Sequence, residues 1–155
     1  MKSLFALVLL VSSVAITPTA VVADEGPLLM ARSHDNFETS MAMLKNSIQD
    51  HGYAIAHVQK CDGGMKKFGY NSDYYRVVFF GKADEVGRIS KASPLMIPYL
   101  PLKVVIFAEG DKTVLTALNP NNLAAYFPDD TVMLEQLGAW ETDLRAILRD
   151  VDSMN

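Results

Sequence analysis

The first 23 residues constrain the fold most, because they decide how much chain is left to form a domain. Lys2 precedes an apolar run over residues 4–16, which two serines interrupt, and a small-residue stretch over 20–23 closes the segment. A basic start, an apolar centre and a small final residue are typical of a secretory signal peptide. We therefore expect cleavage after about Ala23, export to the periplasm and no stable membrane anchor, since crossing a bilayer takes roughly 20 apolar residues.

Removal of that segment leaves 132 residues with 13 basic and 18 acidic side chains, a net charge of −5. This length predicts a single domain over 34–155, preceded by a lead segment over 24–33 that holds a first strand. The negative charge and the absence of a basic cluster in the sequence disfavour nucleic acid as a partner. We expect a small molecule or a periplasmic protein instead, and self-association stays open.

Two long segments carry apolar residues at helical spacing. The first is predicted to be a helix over 36–51 that begins with a capping box of Asp35 and Glu38. Gly52 supplies the left-handed residue that ends this helix. The second is the last helix of the chain, with an apolar stripe of Leu134, Leu137, Trp140, Leu144, Ile147 or Leu148, and Val151.

The remaining pattern predicts strands and short connections. Alternation along 53–59 predicts a strand in which Tyr53, Ile55 and His57 share one face. The segment 74–80 is aromatic and β-branched with almost no alternation, which predicts a central strand covered on both faces. The other predicted elements are a strand over 28–33, a short helix over 83–92, an ordered apolar loop over 93–102, and a hairpin over 102–118 with a three-residue turn at 110–112.

Three short motifs stand out in the second half of the chain. They are the run Pro-Leu-Met-Ile-Pro-Tyr-Leu-Pro-Leu-Lys-Val-Val-Ile-Phe-Ala-Glu over 94–109, the pair Asn119-Pro120, and Leu123-Ala124-Ala125. Together these motifs resemble the bacterial DUF302 family. The resemblance extends from about His34 to the C-terminus. It implies a single TBP-like α+β domain of the type β-α-β-β-β-β-α, with an antiparallel sheet of four to five strands covered by helices on one face. It implies no catalytic residue, because the family has no established activity.

Cys61 is the only cysteine in the sequence, so it forms no intramolecular disulfide and is either a small buried apolar residue or a functional thiol. His57, Cys61 and Met65 are spaced four and four, and each side chain is a ligand for a soft metal such as Cu(I) or for haem iron. Thiol redox chemistry or sulfur carriage at Cys61 requires a thiolate, which nearby lysines favour and Asp62 opposes.

The proline-stiffened loop and the tyrosines before it predict a different kind of site. Rigid apolar segments with tyrosine form ligand pockets and partner surfaces. The predicted ligand-binding residues are Tyr70, Tyr75, Pro94, Met96 and Tyr99. The leading hypothesis is accordingly a non-catalytic binding or accessory module with a site between this loop and the sheet, and the alternative is a Cys61-centred redox, sulfur-carrier, soft-metal or haem-binding protein.

Overall fold

β4 (Leu102–Glu109) and β5 (Lys112–Leu118) form the hairpin around which the sheet is built. The computed structural model describes residues 26–69 and 74–152. Glu109 pairs with Lys112, so the turn has two residues, and the prediction of a three-residue turn is wrong. Gly110 has a φ of +64° and no non-glycine residue of the described chain has a positive φ. This pattern is that of a type II′ turn, which places glycine first.

The other strands are β1 (Leu28–Ser33), β2 (Ala54–Lys60) and β3 (Tyr75–Gly81). The five strands lie in the order β1-β5-β4-β3-β2, and each neighbouring pair is antiparallel. The first strand was predicted with these bounds. The third strand is interior to the sheet as predicted, between β2 and β4, but the prediction that it is covered on both faces is wrong, because only Val78 and Phe80 of β3 are buried.

The helices are α1 (Phe37–Asp50), α2 (Asp62–Lys66), α3 (Ala83–Ala92) and α4 (Thr131–Arg149). Two 3-10 helices span Pro94–Tyr99 and Pro120–Tyr126, and the first of them occupies the stretch predicted as a loop. The molecule is therefore a single α+β domain, as predicted. Within residues 26–69 and 74–152, no helix is long and apolar enough to cross a membrane.

α1 and α4 pack on one face of the sheet and form the main core. Phe37, Met41, Leu44 and Ile48 recur every three or four residues along α1, which places them on one side of the helix. They pack with Leu144, Ile147 and Leu148 of α4 against the inward strand residues, which include Leu29, Val78, Phe80, Val104, Ile106 and Leu115. Burial of this apolar surface is the main stabilising term for a domain without disulfides.

A second apolar cluster lies where the first part of α4 extends past the main core. It joins α3, both 3-10 helices and α4, and its buried members are Ile89, Met96, Leu123, Met133, Leu137 and Trp140. Met133 is buried where the predicted stripe had Leu134, which is only half-buried. The remaining predicted positions of the α4 stripe are buried, so the helical period is confirmed from Leu137 to Val151.

Side-chain caps fix where α1 and α4 begin. For α4 the cap is Asp130, whose Oδ1 accepts a 2.9 Å hydrogen bond from Met133 N. Asn36 Oδ1 accepts a 3.0 Å hydrogen bond from Thr39 N, so Asn36 caps α1 and the predicted Asp35 capping box is wrong. Asp35 instead contacts Ser33 in the turn before the helix. Gly52, with a φ of +78°, follows the end of α1 as predicted.

Candidate functional site

Opposite α1 and α4, the sheet presents a second face, here called the open face, which α2 reaches through Met65 and on which Val114 is buried. Residues directly paired across antiparallel strands share a face. The registers therefore place three rows of side chains on it. The central row is Met30, Thr116, Val105, Val77 and Gln59, the second is Arg32, Val114, Phe107 and Tyr75, and the third contains Lys103, Phe79 and His57.

A β-bulge in β2 decides the position of His57. Ile55 pairs with Phe80, but His57 pairs with Phe79, so the register shifts by one residue between them. A bulge places two residues opposite one, which reverses the facing of the residues that follow. His57 therefore lies on the open face against the Phe79 ring, with 6.3 Å between ring centroids, and the prediction that it shares a face with Ile55 is wrong.

Two grooves adjoin at one end of the open face because both are lined by Met65 and Tyr75, and together they are called the sheet-face groove. Their volumes are about 370 and 390 Å³. One part is lined by Gln59, Lys60, Cys61, Gly64, Met65, Phe68 and Tyr75, and the other by Met65, Tyr75, Val105, Phe107 and Thr116. Within the described chain, Thr116 Oγ1 is buried without a hydrogen-bond partner.

Cys61 is half-buried at the start of α2, so it is not the fully buried apolar residue that one interpretation of the sequence expected. Partial burial of the thiol is the main cause that raises its pKa above the ordinary value, and the negative charge of Asp62 raises it further, against an opposing effect of Arg76. The thiolate is the reactive form of cysteine. The geometry therefore favours an unreactive thiol at neutral pH.

Alkylation kinetics test this property of Cys61. We expect slow labelling by iodoacetamide in the folded protein at pH 7, with a rate that rises at a higher pH than for free cysteine, because a raised pKa lowers the thiolate fraction at every pH below it. Asp62→Asn is expected to shift the rate profile toward lower pH. A midpoint below pH 7 for the unmodified protein would contradict this assignment.

The three predicted soft-metal ligands occupy two places. Cys61 and Met65 line the same groove, and Met65 N donates to Cys61 O at 3.1 Å, so α2 holds the two residues one turn apart. His57 is not among the residues that line the groove, and its Nε2 lies 3.2 Å from Gln59 Oε1. In the part of the chain that the structure describes, no three His, Cys, Asp or Glu side chains are grouped as metal ligands. The three-ligand site stays a prediction.

A second cavity lies between the first 3-10 helix, the sheet and α4, and is called the Trp140 pocket. Its volume is about 40 Å³, and its lining is mostly apolar. The residues that line it are Met96, Tyr99, Leu102, Lys103, Leu118, Pro120, Leu123, Trp140 and Leu144. Four chain segments that are distant in sequence therefore converge on one apolar cavity.

Hydrogen bonds behind the pocket hold the indole ring of Trp140. Trp140 Nε1 donates to Glu85 Oε1 at 2.7 Å, and Gln136 Nε2 donates to the other carboxylate oxygen at 3.0 Å. Arg88 Nη2 in turn donates to Gln136 Oε1 at 2.9 Å. A buried indole N–H that has a charged acceptor keeps one ring orientation, so this network gives the pocket a fixed wall.

The predicted ligand-binding residues are divided between these places. Met96 and Tyr99 line the Trp140 pocket, as the hypothesis of a site between loop and sheet expected. Tyr75 lines the sheet-face groove instead. Pro94 is exposed at the start of the first 3-10 helix and lines neither cavity, and Tyr70 lies outside the described residues.

Sequence reasoning did not single out Lys103, Leu118 or Leu123, and it assigned Trp140 to the core alone. Each of them lines the pocket. One signal in the sequence could have pointed to the pocket, which is the charge of Lys103 inside the otherwise apolar run over 97–108. Charged side chains inside apolar strands mark either an exposed face or a polar group at a site.

A polar cluster lies at the C-terminal ends of α1 and α4, and it consists of Ser47, His51 and Asp150. Ser47 Oγ donates to Asp150 Oδ2 at 2.6 Å, and His51 Nε2 lies 3.2 Å from the same oxygen. The hydrogen bond from Ser47 is the main cause that lowers the pKa of Asp150. In a catalytic triad the serine would contact the histidine, whereas here both contact the aspartate. The cluster therefore ties two helix ends together.

The model of the family described as "Domain of unknown function DUF302" matches residues 30–151. Among solved structures, the uncharacterized conserved protein DUF302 from Bacillus stearothermophilus is similar, with a TM-score of 0.70 and 17% sequence identity. The similarity covers 81% of this chain and 98% of that one. At this identity the likeness shows the fold alone. No curated protein matches the chain.

Proposed function

We propose a function from the premise that the chain belongs to the DUF302 family, whose description assigns no activity. The protein is a non-catalytic binding module that holds an apolar group of a small molecule in the Trp140 pocket. The observation that carries this proposal is the convergence of four segments on a mostly apolar cavity whose wall, Trp140, is held by Glu85. Ligand sites are apolar concavities with a few polar groups.

The size of the pocket limits what it holds. Its volume of about 40 Å³ is roughly three times the ~10–15 Å³ that one water requires. Pockets that enclose drug-sized ligands have volumes of roughly 300–1,000 Å³. The pocket therefore accommodates a few carbon atoms, such as the end of an alkyl chain or the edge of a ring, and the rest of the ligand extends onto the surface beside Tyr99 and Leu118.

The lining residues support binding rather than catalysis. Covalent catalysis pairs a nucleophile with a base that activates it. Tyr99 and Lys103 have nucleophilic groups, and no His, Asp or Glu lines the Trp140 pocket beside them. The polar side chains among them are Tyr99 and Lys103. These groups orient a ligand by hydrogen bonding and charge.

The single tryptophan of the chain provides the test. We expect octan-1-ol to change the fluorescence of Trp140 in a saturable way, because an alkyl chain that enters the pocket contacts the indole. Leu118→Phe should narrow the entrance and weaken octan-1-ol binding about fivefold, roughly 1 kcal/mol. The matched control is Leu28→Phe, since Leu28 pairs with Leu118 across the strands but does not line the pocket. Equal weakening by both substitutions, or a signal that never saturates, would refute the pocket as the binding site.

The second candidate function is centred on Cys61, as a redox, sulfur-carrier, soft-metal or haem-binding site. The observation that favours it is the shared position of Cys61 and Met65 in the sheet-face groove. We expect one-to-one Cu(I) binding that Cys61→Ala and Met65→Leu weaken, and Leu118→Phe leaves unchanged. Undiminished Cu(I) binding in the double variant Cys61→Ala/Met65→Leu would end the soft-metal form of this candidate, and His57→Ala tests the third predicted ligand.

Export to the periplasm is part of the same proposal. It rests on the pattern of residues 1–23, which lie outside the described residues. The molecular mass of the protein recovered from cells that express the full chain tests for export. We expect the mass of a chain that begins at Asp24. A mass that includes the apolar segment would contradict export by this route.

A further inference from the structure

Lys103 is the one charged residue that lines the Trp140 pocket. It is also exposed on the open face beside its strand partner Phe79. Long cationic side chains bury the alkyl stem along apolar surface and keep the ammonium in water. The ammonium of Lys103 therefore stands where the pocket opens, and it has no ion pair within the described chain.

The whole chain has a net charge of −4. Two carboxylates lie beside the pocket lining, and both are engaged by other groups: Glu85 accepts from Trp140 and Gln136, and Glu141 accepts from Asn119 and Arg145. Lys103 and Arg32 are both cations on the open face, and Arg32 lies two strands and two rows away from Lys103. Among the described strand positions of that face, the one carboxylate is Glu109, which lies opposite Lys112 at the hairpin end. No acidic residue lines the pocket. A cation at the edge of an apolar pocket that has no acidic lining residue is electrostatically complementary to an anion.

Tyr99 adds a neutral donor to the same pocket wall. Its side chain is partly exposed and lines the cavity with Lys103. A phenol donates one hydrogen bond and an ammonium donates three. The pocket therefore offers an apolar interior and an exposed cationic edge with hydrogen-bond donors, which is the arrangement that an anionic amphiphile requires.

We infer that the ligand is a free amphiphile with one alkyl chain and an anionic headgroup, whose chain end enters the Trp140 pocket while its headgroup contacts Lys103 and Tyr99. This inference rests on the proposed function and names its ligand class. A monomeric alkyl carboxylate fits better than a membrane surface, because the pocket admits one chain end.

Octanoate and octan-1-ol test the headgroup, since they have the same chain length and differ in charge. With the protein recovered from cells that express the full chain, we expect octanoate to bind about fivefold more tightly at pH 7 and low salt, and the preference to shrink as salt screens the exposed charge. Lys103→Met should abolish the preference and Lys103→Arg should keep it. Tyr99→Phe should weaken octanoate about twofold and octan-1-ol less.

The control variant is Arg32→Met, which removes a cation from the open face without altering the pocket lining, and it should keep the preference. Equal affinity of the unmodified protein for both probes overturns the inference and leaves the proposed function standing. Failure of both probes to bind overturns the proposed function and the inference with it. A preference that survives in Lys103→Met and in Lys103→Gln, both checked for folding by circular dichroism, also overturns the inference. Binding to phosphatidylglycerol vesicles without binding of free octanoate assigns the site to a membrane surface and overturns it as well.

Discussion

Trp140→Ala is expected to lower the free energy of unfolding by about 3–5 kcal/mol. The indole is 2% exposed and packs in the cluster of Met96, Leu123 and Leu137, so its removal leaves a large cavity. The substitution also takes a hydrogen-bond donor from Glu85. Urea denaturation followed by circular dichroism measures the loss, which is a large part of the roughly 5–15 kcal/mol that stabilises a typical domain.

Two control variants separate packing from helix propensity. Trp140→Phe retains much of the ring volume and should cost less than the alanine variant. Val132 lies on the same helix and is 62% exposed, so Val132→Ala should change the denaturation midpoint little. A midpoint for Trp140→Ala that equals the Val132→Ala midpoint would mean that Trp140 does not pack as the structure has it.

Phe80→Ala should destabilise the protein by a similar amount, about 3–5 kcal/mol. Phe80 is 0% exposed on the helix-covered face of β3, and its ring meets the edge of Tyr53 at a centroid distance of 5.4 Å. The neighbouring residue Phe79 points to the open face and pairs with Lys103. The losses of unfolding free energy in Phe80→Ala and Phe79→Ala therefore compare the packing on the two faces of one strand.

We expect Phe79→Ala to cost about 1 kcal/mol, because a half-buried residue on the open face loses cross-strand contacts without leaving a closed cavity. Equilibrium unfolding of the two variants under the same conditions gives the comparison. Equal losses of unfolding free energy in Phe79→Ala and Phe80→Ala would contradict the packing of the long helices on one face of the sheet.

Periodicity in the sequence predicted the elements closely, because helices and strands that bury one side repeat their apolar residues at fixed spacing. α3 has the predicted bounds, and α1 differs by one residue at each end. The facing of His57 was mispredicted because the bulge after Ile55 depends on how β2 pairs with β3, which alternation within one strand does not reveal. The aromatic run of β3 was mispredicted as covered on both faces, since apolar residues also line the open face.

The pocket was partly predicted for a similar reason. Met96 and Tyr99 belong to a local motif of prolines and apolar residues, so the sequence pointed to them. Lys103, Leu118 and Trp140 reach the same cavity from other segments, and their convergence is a tertiary property that no spacing along the chain encodes. Cys61 was assigned to burial or reactivity from its residue type and the charges next to it in the sequence, whereas its half-buried position depends on how α2 contacts β3 through Asp62 and Arg76.

Methionine methyl resonances test the central claim most directly, because methionines line both cavities. Met96 lines the Trp140 pocket and Met65 lines the sheet-face groove, while Met41 is buried in the main core and serves as an internal reference. In protein labelled with ¹³C at the methionine methyl groups, titration with octanoate is predicted to shift the Met96 resonance in a saturable way and to leave Met65 and Met41 nearly unchanged. A saturable shift of Met65 with Met96 unchanged would contradict the account and move the binding site to the sheet-face groove.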